Sequence, residues 1–249
     1  MISKNRLKLI RSLELKKNRT REGLFVAEGP KVVGDLMEVS APRMIMATEE
    51  WMKGCAEGAI PSGCECVHVT DEELCKASFL QHPQQVLALF DIPRGQPVWD
   101  GNLLSLALDG IQDPGNLGTI IRIADWFGIR HIYCSPDTAD AYNPKVIQAT
   151  MGSIAHVRVT YTDLLSLFDN IPADYPVYGT LLDGDDIFRQ SLTPYGLVVM
   201  GNEGKGISPA VRRRVNRRLL IPNFSEGHTA ESLNVAIATA ITCAEFRRR

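Results

Sequence analysis

Leu103-Leu-Ser-Leu-Ala-Leu-Asp-Gly-Ile-Gln-Asp-Pro-Gly-Asn-Leu-Gly118 joins an apolar run to a turn rich in glycine and polar residues. A largely apolar run such as residues 103–108 is typical of a strand that is buried on both faces of a parallel sheet. A helical pattern over residues 116–127 and a predicted strand at 130–134 follow it. A strand, a helix and a second strand in this order favour an α/β fold with a parallel sheet and helices on both faces.

The same alternation continues towards the C-terminus. Further strands are predicted at residues 177–181, 196–200 and 218–221, and a closing helix rich in Ala and Ile is predicted over 232–247. Together with the opening stretch, these elements define a predicted domain over residues 99–249.

A smaller α/β unit is predicted upstream, over residues 1–95. Leu7, Ile10 and Leu13 recur at helical spacing, so an amphipathic helix with a basic outer face is predicted over residues 3–17. The segment Asp91–Val98 contains two prolines and a glycine and is the predicted linker. The other predicted elements of this unit are the strands 25–27, 43–47, 65–69 and 85–90 and a helix that starts at Pro30 and reaches Val39.

Composition limits the class of protein. The chain has 249 residues, of which 45% are hydrophobic and 22% charged, and these values exclude collagen-like, disordered and coiled-coil proteins. The apolar runs are too short to span a bilayer, so no membrane partner is expected. The N-terminus is charged and lacks the apolar core of a secretory signal. A cytoplasmic protein is therefore expected.

Charge is unevenly distributed although the net charge is only −2. Residues 1–21 contain eight Lys or Arg and one acid, and residues 212–218 and 247–249 together contain eight more basic residues. Residues 49–75 carry seven acids and one Lys. Segregation of this kind indicates a local face that binds phosphate groups, and a solvated helix face is the alternative.

Four of the six cysteines lie close together in the sequence, at Cys55, Cys64, Cys66 and Cys75. A zinc site usually has paired Cys-x2-Cys spacing, whereas this segment offers only Cys64-Glu-Cys66. We interpret these cysteines as reduced thiols, and a zinc site is the alternative. Disulfides are not expected without a secretory signal.

Common nucleotide and hydrolase motifs fail in the glycine-rich turns. Gly206 is followed by Ile207 where a Walker A loop needs Lys-Ser or Lys-Thr, and Pro209 stands where a dinucleotide fingerprint needs its third glycine. No Gly-x-Ser-x-Gly elbow accompanies any of the five histidines. ATP, dinucleotides and a serine hydrolase triad are therefore not favoured.

Three polar, glycine-rich segments follow predicted strands, which is where open α/β sheets bind ligands. Asn116-Leu-Gly-Thr-Ile-Ile-Arg122 has the pattern Asn-x-Gly-x-x-x-Arg, and Gly201-Asn-Glu-Gly204 forms the second segment. Ile221-Pro222 leads to Ser232-Leu-Asn234 in the third. In order and spacing they resemble the three motifs of the SpoU (TrmH-like) family of RNA ribose 2′-O-methyltransferases in the SPOUT superfamily. Residues 1–90 are similar to the ribosomal-protein-L30e-like RNA-binding domain that many members of the family carry.

The resemblance implies S-adenosylmethionine as methyl donor and a parallel sheet whose C-terminal part forms a trefoil knot. It also implies a homodimer with the active site near the subunit interface, an RNA substrate (ribosomal RNA more than transfer RNA), and no metal. The donor-binding residues implied by the motifs are Leu181, Met200, Gly201, Ile221 and Leu233.

The resemblance further implies that Arg122 contacts a substrate phosphate and assists deprotonation of the ribose hydroxyl. Asn116, Glu203, Ser232 and Asn234 would form a polar cage that orients Arg122, ribose and donor. Structural roles are the alternative, since Asn116 and Ser232 could cap helices, Glu203 could stabilise a turn and Arg122 could be a surface residue.

Two other functions stay open at this point: a catalytically silent RNA-binding protein of the same fold, and a SPOUT enzyme that methylates a base. The segment Asn223–Glu231 is longer than in many relatives, and the roles of Ser225, Glu226 and His228 are open.

Overall fold

A computed structural model describes residues 2–55, 58, 60–93, 101–225 and 232–248. The helices are α1 Lys4–Ser12, α2 Lys16–Glu22, α3 Pro30–Met37, α4 Glu49–Gly54, α5 Asp71–Ala77, α6 Pro114–Trp126, α7 Pro144–Thr150, α8 Leu164–Asp169, α9 Pro209–Arg212 and α10 Val235–Arg247. The strands are β1 Leu24–Glu28, β2 Met44–Ala47, β3 Glu65–His68, β4 Val86–Asp91, β5 Leu104–Asp109, β6 His131–Cys134, β7 Arg158–Tyr161, β8 Val177–Asp186, β9 Gly196–Gly201 and β10 Arg217–Leu220.

The chain divides into two compact units. The first comprises Met1–Arg94 and Asp140–Ala155, and the second comprises Gly95–Ala139 and His156–Arg249. The sequence predicted a single boundary in the segment 91–98, of which residues 94–98 lie outside the described residues. It did not predict that the segment 140–155, which carries α7, groups with the N-terminal part.

Side-chain contacts explain why the segment 140–155 belongs to the first unit. The guanidinium of Arg19 is 2% exposed, and its Nε donates to Asp140 Oδ2 at 3.0 Å. The rings of Phe25 and Tyr142 lie 5.0 Å apart between centroids. A buried charge pair and an aromatic pair therefore anchor this segment to α2 and β1.

The first unit is built on a four-stranded sheet in the order β1-β4-β2-β3. Strand β4 is antiparallel to both of its neighbours, and β2 is parallel to β3. The predicted single helix over residues 3–17 is wrong, because two helices occupy the region. The chain turns at Leu13, whose side chain is fully buried, and Arg19 Nη1 donates to the carbonyls of Leu13 and Glu14 at 2.7 and 2.8 Å.

The second unit is a six-stranded parallel sheet in the order β10-β8-β9-β5-β6-β7. Strand β5 lies inside the sheet between β9 and β6, and Leu106, Ala107 and Leu108 are fully buried. The parallel sheet that the opening stretch predicted is thus confirmed. The trefoil knot stays a prediction.

The starts of α6 and α10 differ from the predicted ones. Helix α6 begins at Pro114 and is capped by Asp113, whose Oδ1 accepts from the backbone N–H of Asn116 at 2.7 Å. Helix α10 begins at Val235 and is capped by Asn234. The caps therefore leave the side chains of Asn116 and Ser232 available for other contacts. No helix within the described residues is long and apolar enough to cross a membrane.

Candidate active site

A cavity of about 900 Å³ lies in the second unit, beside the carboxyl ends of β9 and β10. Its wall includes the end of β9, the loop that follows it, the segment after β10 and the start of α10. The structure brings to this cavity all of the residues that the motifs assign to the donor, namely Leu181, Met200, Gly201, Ile221 and Leu233.

An irregularity in β8 contributes one wall. Arg218 of β10 pairs with Gly179 of β8, but the next residue, Leu219, pairs with Asp185. Residues 180–184 therefore leave the register with β10, and residues 180–183 line the cavity. Asp183 in this excursion forms ion pairs with Arg212 and Arg218, which tie it to α9 and β10.

Gly201 ends β9 at a point where the chain folds back over it. A Cβ atom at this position would lie 2.3 Å from the carbonyl carbon of Gly206 and 2.3 Å from the nitrogen of Ile207. Glycine is therefore required by the protein backbone itself.

Asn202 organises the loop after β9, a role that the sequence reasoning missed. Its Oδ1 accepts from the N–H groups of Gly204 and Lys205, both at 3.0 Å, and its Nδ2 donates to the Gly110 carbonyl at 2.6 Å. The signal was an Asn before Glu-Gly, because Asn side chains commonly close such turns. One side chain thus joins the second motif to the first.

Three of the predicted catalytic side chains form a hydrogen-bonded chain. Asn116 Nδ2 donates to Glu203 Oε1 at 3.0 Å, and Asn234 Nδ2 donates to Asn116 Oδ1 at 2.9 Å. The second Glu203 oxygen accepts from the backbone N–H of Gln112 at 3.4 Å. Each member comes from a different motif, so this chain of contacts brings all three motifs together. Glu203 also lines the cavity.

The other two predicted catalytic residues are placed differently. Ser232 is exposed and lines the cavity. Arg122 is exposed, is absent from the cavity wall, and makes no hydrogen bond or ion pair with the part of the chain that the structure describes. Six residues are about 1.7 helical turns, so Arg122 points roughly 120° away from Asn116 around α6. The side chains of Asn116 and Arg122 therefore leave α6 in different directions.

Part of the basic N-terminal region has structural partners. Arg6 pairs with Glu65, Arg11 Nη1 donates to the Ser78 carbonyl at 2.6 Å, and Arg19 is buried. Basic side chains that are exposed and have no partner among the described residues remain at Lys4, Lys8 and Lys17. In the second cluster, Arg214 pairs with Asp169, and Arg212 and Arg218 with Asp183.

The cysteines are free thiols. Burial, together with the neighbouring Cys66, raises the pKa of the Cys64 thiol to about 11. Among the described residues, no group of three or more His, Cys, Asp or Glu is placed to hold a metal ion. Ser225 donates its N–H to Asn223 Oδ1 at 2.9 Å, whereas Glu226 and His228 of the longer loop lie outside the described residues.

The cavity lies among the glycine-rich ends of the parallel sheet, and the three motifs join beside it. These features are those of an S-adenosylmethionine-dependent RNA methyltransferase. The chain belongs to the SpoU rRNA methylase family, whose family model matches residues 103–244. The model of an MRM3-like substrate-binding domain matches residues 4–88.

Similarity to individual proteins and structures supports this membership. The chain is 32% identical over 244 residues to the 23S rRNA (guanosine(2553)-2′-O)-methyltransferase RlmP of Bacillus subtilis, covering 95% of this chain and 94% of the relative. A structure from Porphyromonas gingivalis, assigned to the TrmH family of RNA methyltransferases, has a TM-score of 0.89 at 41% identity, covering 100% of this chain and 99% of that one. An AdoMet-bound rRNA methyltransferase from Sinorhizobium meliloti has a TM-score of 0.88 at 29% identity, covering 100% and 96%.

The cavity fits the donor in size and chemistry. Its volume of about 900 Å³ lies within the usual range of small-molecule sites. Apolar side chains such as Leu181, Met200 and Ile221 line it beside the bare backbone of Gly201. A wall of this kind suits an adenosine, which is recognised by backbone groups and packed between aliphatic side chains.

Proposed function

We propose that this protein methylates a ribose 2′-hydroxyl in ribosomal RNA. The observation that carries the proposal is the hydrogen-bonded chain Glu203–Asn116–Asn234 beside the cavity. The name of the Bacillus subtilis relative supports the ribose position and 23S rRNA as the substrate class. The match of residues 4–88 to a substrate-binding domain supports a role of the first unit in holding RNA.

The donor would be held by the backbone and aliphatic side chains of Leu181, Met200, Gly201, Ile221 and Leu233. When bound, S-adenosylmethionine supplies an electrophilic methyl group. The excursion of β8 and the loop organised by Asn202 keep these residues in place before substrate arrives, so orientation costs little at the reaction step.

The Glu203–Asn116–Asn234 chain orients the ribose. An asparagine amide has two N–H groups, and the structure uses one on Asn116 and one on Asn234. The second N–H of each amide is available to a ribose or phosphate oxygen. Glu203 is an acceptor when ionised and fixes the amide orientation of Asn116. The hydroxyl is thereby aligned with the methyl group, and its proton is released to solvent water, which reaches the exposed Glu203 and Asn234.

Arg122 would hold the phosphate beside the target ribose, since a guanidinium donates two parallel hydrogen bonds to such a group. It is not the base, because arginine stays protonated in proteins. Arg122 is absent from the cavity wall of its own chain, and this position agrees with a homodimer in which the active site lies near the subunit interface. Large exposed apolar side chains on the rim, Leu182 at 76% and Phe224 at 83%, also favour a second copy at this face.

The test is methyl transfer to protein-free 23S rRNA, followed by mapping of positions that resist alkaline cleavage, which identifies 2′-O-methylation. We expect one protected linkage with the wild type and strongly reduced protection with Asn116→Ala at the same reaction time. Transfer RNA serves as the competing substrate. A methylated base, or methylation of transfer RNA alone, contradicts the proposal. Light scattering of the purified protein tests the dimer separately.

A further inference from the structure

The charged groups on the cavity wall are not all satisfied. Within the described residues, the ionisable side chains that line it are Asp183, Glu203, Lys205 and Arg212. Asp183 and Arg212 pair with each other, and Glu203 accepts two hydrogen bonds. The ammonium of Lys205 has no partner in the part of the chain that the structure describes. It is therefore the charge on this wall that is left for a ligand.

The loop presents Lys205 without obstruction. Gly204, Lys205 and Gly206 form an exposed crest above the cavity. A Cβ atom at Gly206 would meet nothing within 4 Å, and one at Gly204 would come no closer than 3.8 Å to another group. Lys205 is therefore flanked by two glycines whose Cα atoms have no close neighbours on the side-chain side.

The backbone of the crest offers nothing further to an anion. The N–H groups of Gly204 and Lys205 donate to Asn202 Oδ1, and the N–H of Gly206 donates to the Asn202 carbonyl at 2.9 Å. Glycine-rich loops that cradle phosphate do so with free amides. Here the amides are consumed internally, so an anionic ligand must be held by the ammonium.

We propose that Lys205 binds an RNA phosphate adjoining the ribose that is methylated. This inference rests on the proposed function. Lys205 is two residues from Glu203, which contacts Asn116. An RNA strand whose ribose lies at Asn116 therefore carries its neighbouring phosphates past the crest. The donor carboxylate is the competing anion, because Lys205 lines the same cavity as the residues assigned to the donor. The donor Kd of the Lys205 variants separates the two ligands.

The experiment compares Lys205→Gln and Lys205→Arg with the matched control Arg130→Gln, which lies outside both basic clusters. The control removes the same charge from an exposed residue that does not line the cavity and has no side-chain partner among the described residues. Three quantities are measured for each protein: the affinity for protein-free 23S rRNA over a series of salt concentrations, the KM for that RNA in methyl transfer, and the Kd for S-adenosylmethionine by calorimetry.

We expect Lys205→Gln to raise the KM for RNA by roughly threefold to tenfold, the effect of one charge-assisted hydrogen bond at an exposed site. The slope of log affinity against log salt should fall by roughly 0.7, as for one phosphate of a single strand. Lys205→Arg should restore both values, and the donor Kd should stay unchanged. The Arg130→Gln control should alter neither the KM nor the donor Kd.

Two results would overturn the inference. Weaker donor binding with unchanged RNA affinity would assign Lys205 to the donor carboxylate. Values equal to those of the Arg130→Gln control would show that Lys205 has no role in binding RNA. A wild type that binds RNA without methylating it contradicts the proposed function instead. The salt dependence of RNA binding by Lys205→Gln still decides the role of Lys205 in that case.

Discussion

Asn116 Nδ2 donates to Glu203 Oε1 at 3.0 Å, although the two residues are 87 positions apart in the chain. The contact joins the helix after β5 to the loop after β9, and Asn234 extends it to the start of α10. A side chain that both donates and accepts is required at the centre, so Asn116 is the residue of the three whose loss disconnects the other two.

Replacing Asn116 with Ala should therefore lower the methylation rate by roughly tenfold to a hundredfold, because orientation at the reacting centre is lost. Donor affinity should stay close to that of the wild type, since Asn116 does not line the cavity. Single-turnover methylation and calorimetry measure the two effects. Thr119→Ala on the same helix is the control, because among the described residues its hydroxyl donates a hydrogen bond to the Gly115 carbonyl alone. Equal rates for the two variants would refute the role of the chain.

Gly201→Ala should abolish donor binding, because its Cβ would lie 2.3 Å from the backbone of Gly206 and Ile207 and force the loop to move. Overpacking of this kind also lowers stability by about 1–3 kcal/mol. Gly204→Ala is the matched control in the same loop, with no close neighbour at its Cβ. Calorimetry with S-adenosylmethionine and thermal unfolding test both. Tight donor binding by Gly201→Ala would contradict the prediction and would show that the loop can move without loss of the donor site.

Arg122→Lys should reduce turnover by roughly a hundredfold or more, because an ammonium cannot reproduce the planar fork that fixes phosphate and ribose together. Donor affinity should be unchanged and RNA affinity only modestly lower. Single-turnover methylation of the mapped RNA measures the rate. A lysine variant with a near-normal rate would mean that a simple positive charge suffices at position 122.

Combined replacement of Lys4, Lys8 and Lys17 by Gln should weaken RNA binding and flatten its salt dependence, because these exposed cations release counterions when they meet phosphate. Thermal stability should not change. Arg19→Gln is the contrast, since it breaks a buried ion pair with Asp140 and should cost about 3–5 kcal/mol of stability. If the slope of log affinity against log salt concentration is unchanged in the lysine variant, the exposed lysines of α1 and α2 contact solvent and not RNA.

The sequence was sufficient to predict the strands that consist mainly of apolar residues. Strands β5 and β9 lie inside the parallel sheet, and the largely apolar runs that predict them need no knowledge of neighbours. Strand β7 was missed because Arg158–Tyr161 is a short edge strand with no fully buried residue. The break between α1 and α2 was missed because the apolar spacing runs on through Leu13. The break depends on Arg19 and on Asp140, 121 positions away.

The resemblance was likewise sufficient to predict that the residues assigned to the donor lie together, but it did not predict where Arg122 lies. Leu181 and Leu233 reach one cavity because Leu181 lies in β8 and Leu233 follows β10, the neighbouring strand. Arg122 lies about 1.7 turns of helix from Asn116, so the two side chains point about a third of a turn apart. The partners of Asn202 depend on how the loop closes in space, which no single segment specifies.

Because residues 140–155 contact α2 and β1, two separate fragments of the chain should be able to associate without a covalent link. Interrupting the chain between residues 93 and 101 removes one covalent connection, yet Arg19 and Phe25 still have their partners Asp140 and Tyr142 on the other piece. Two separately encoded fragments, 1–93 and 101–249, should therefore reassemble when co-expressed and copurify under native conditions. Fragment complementation would be lost with Arg19→Gln, and an enzyme divided in this way could be switched on by bringing its halves together.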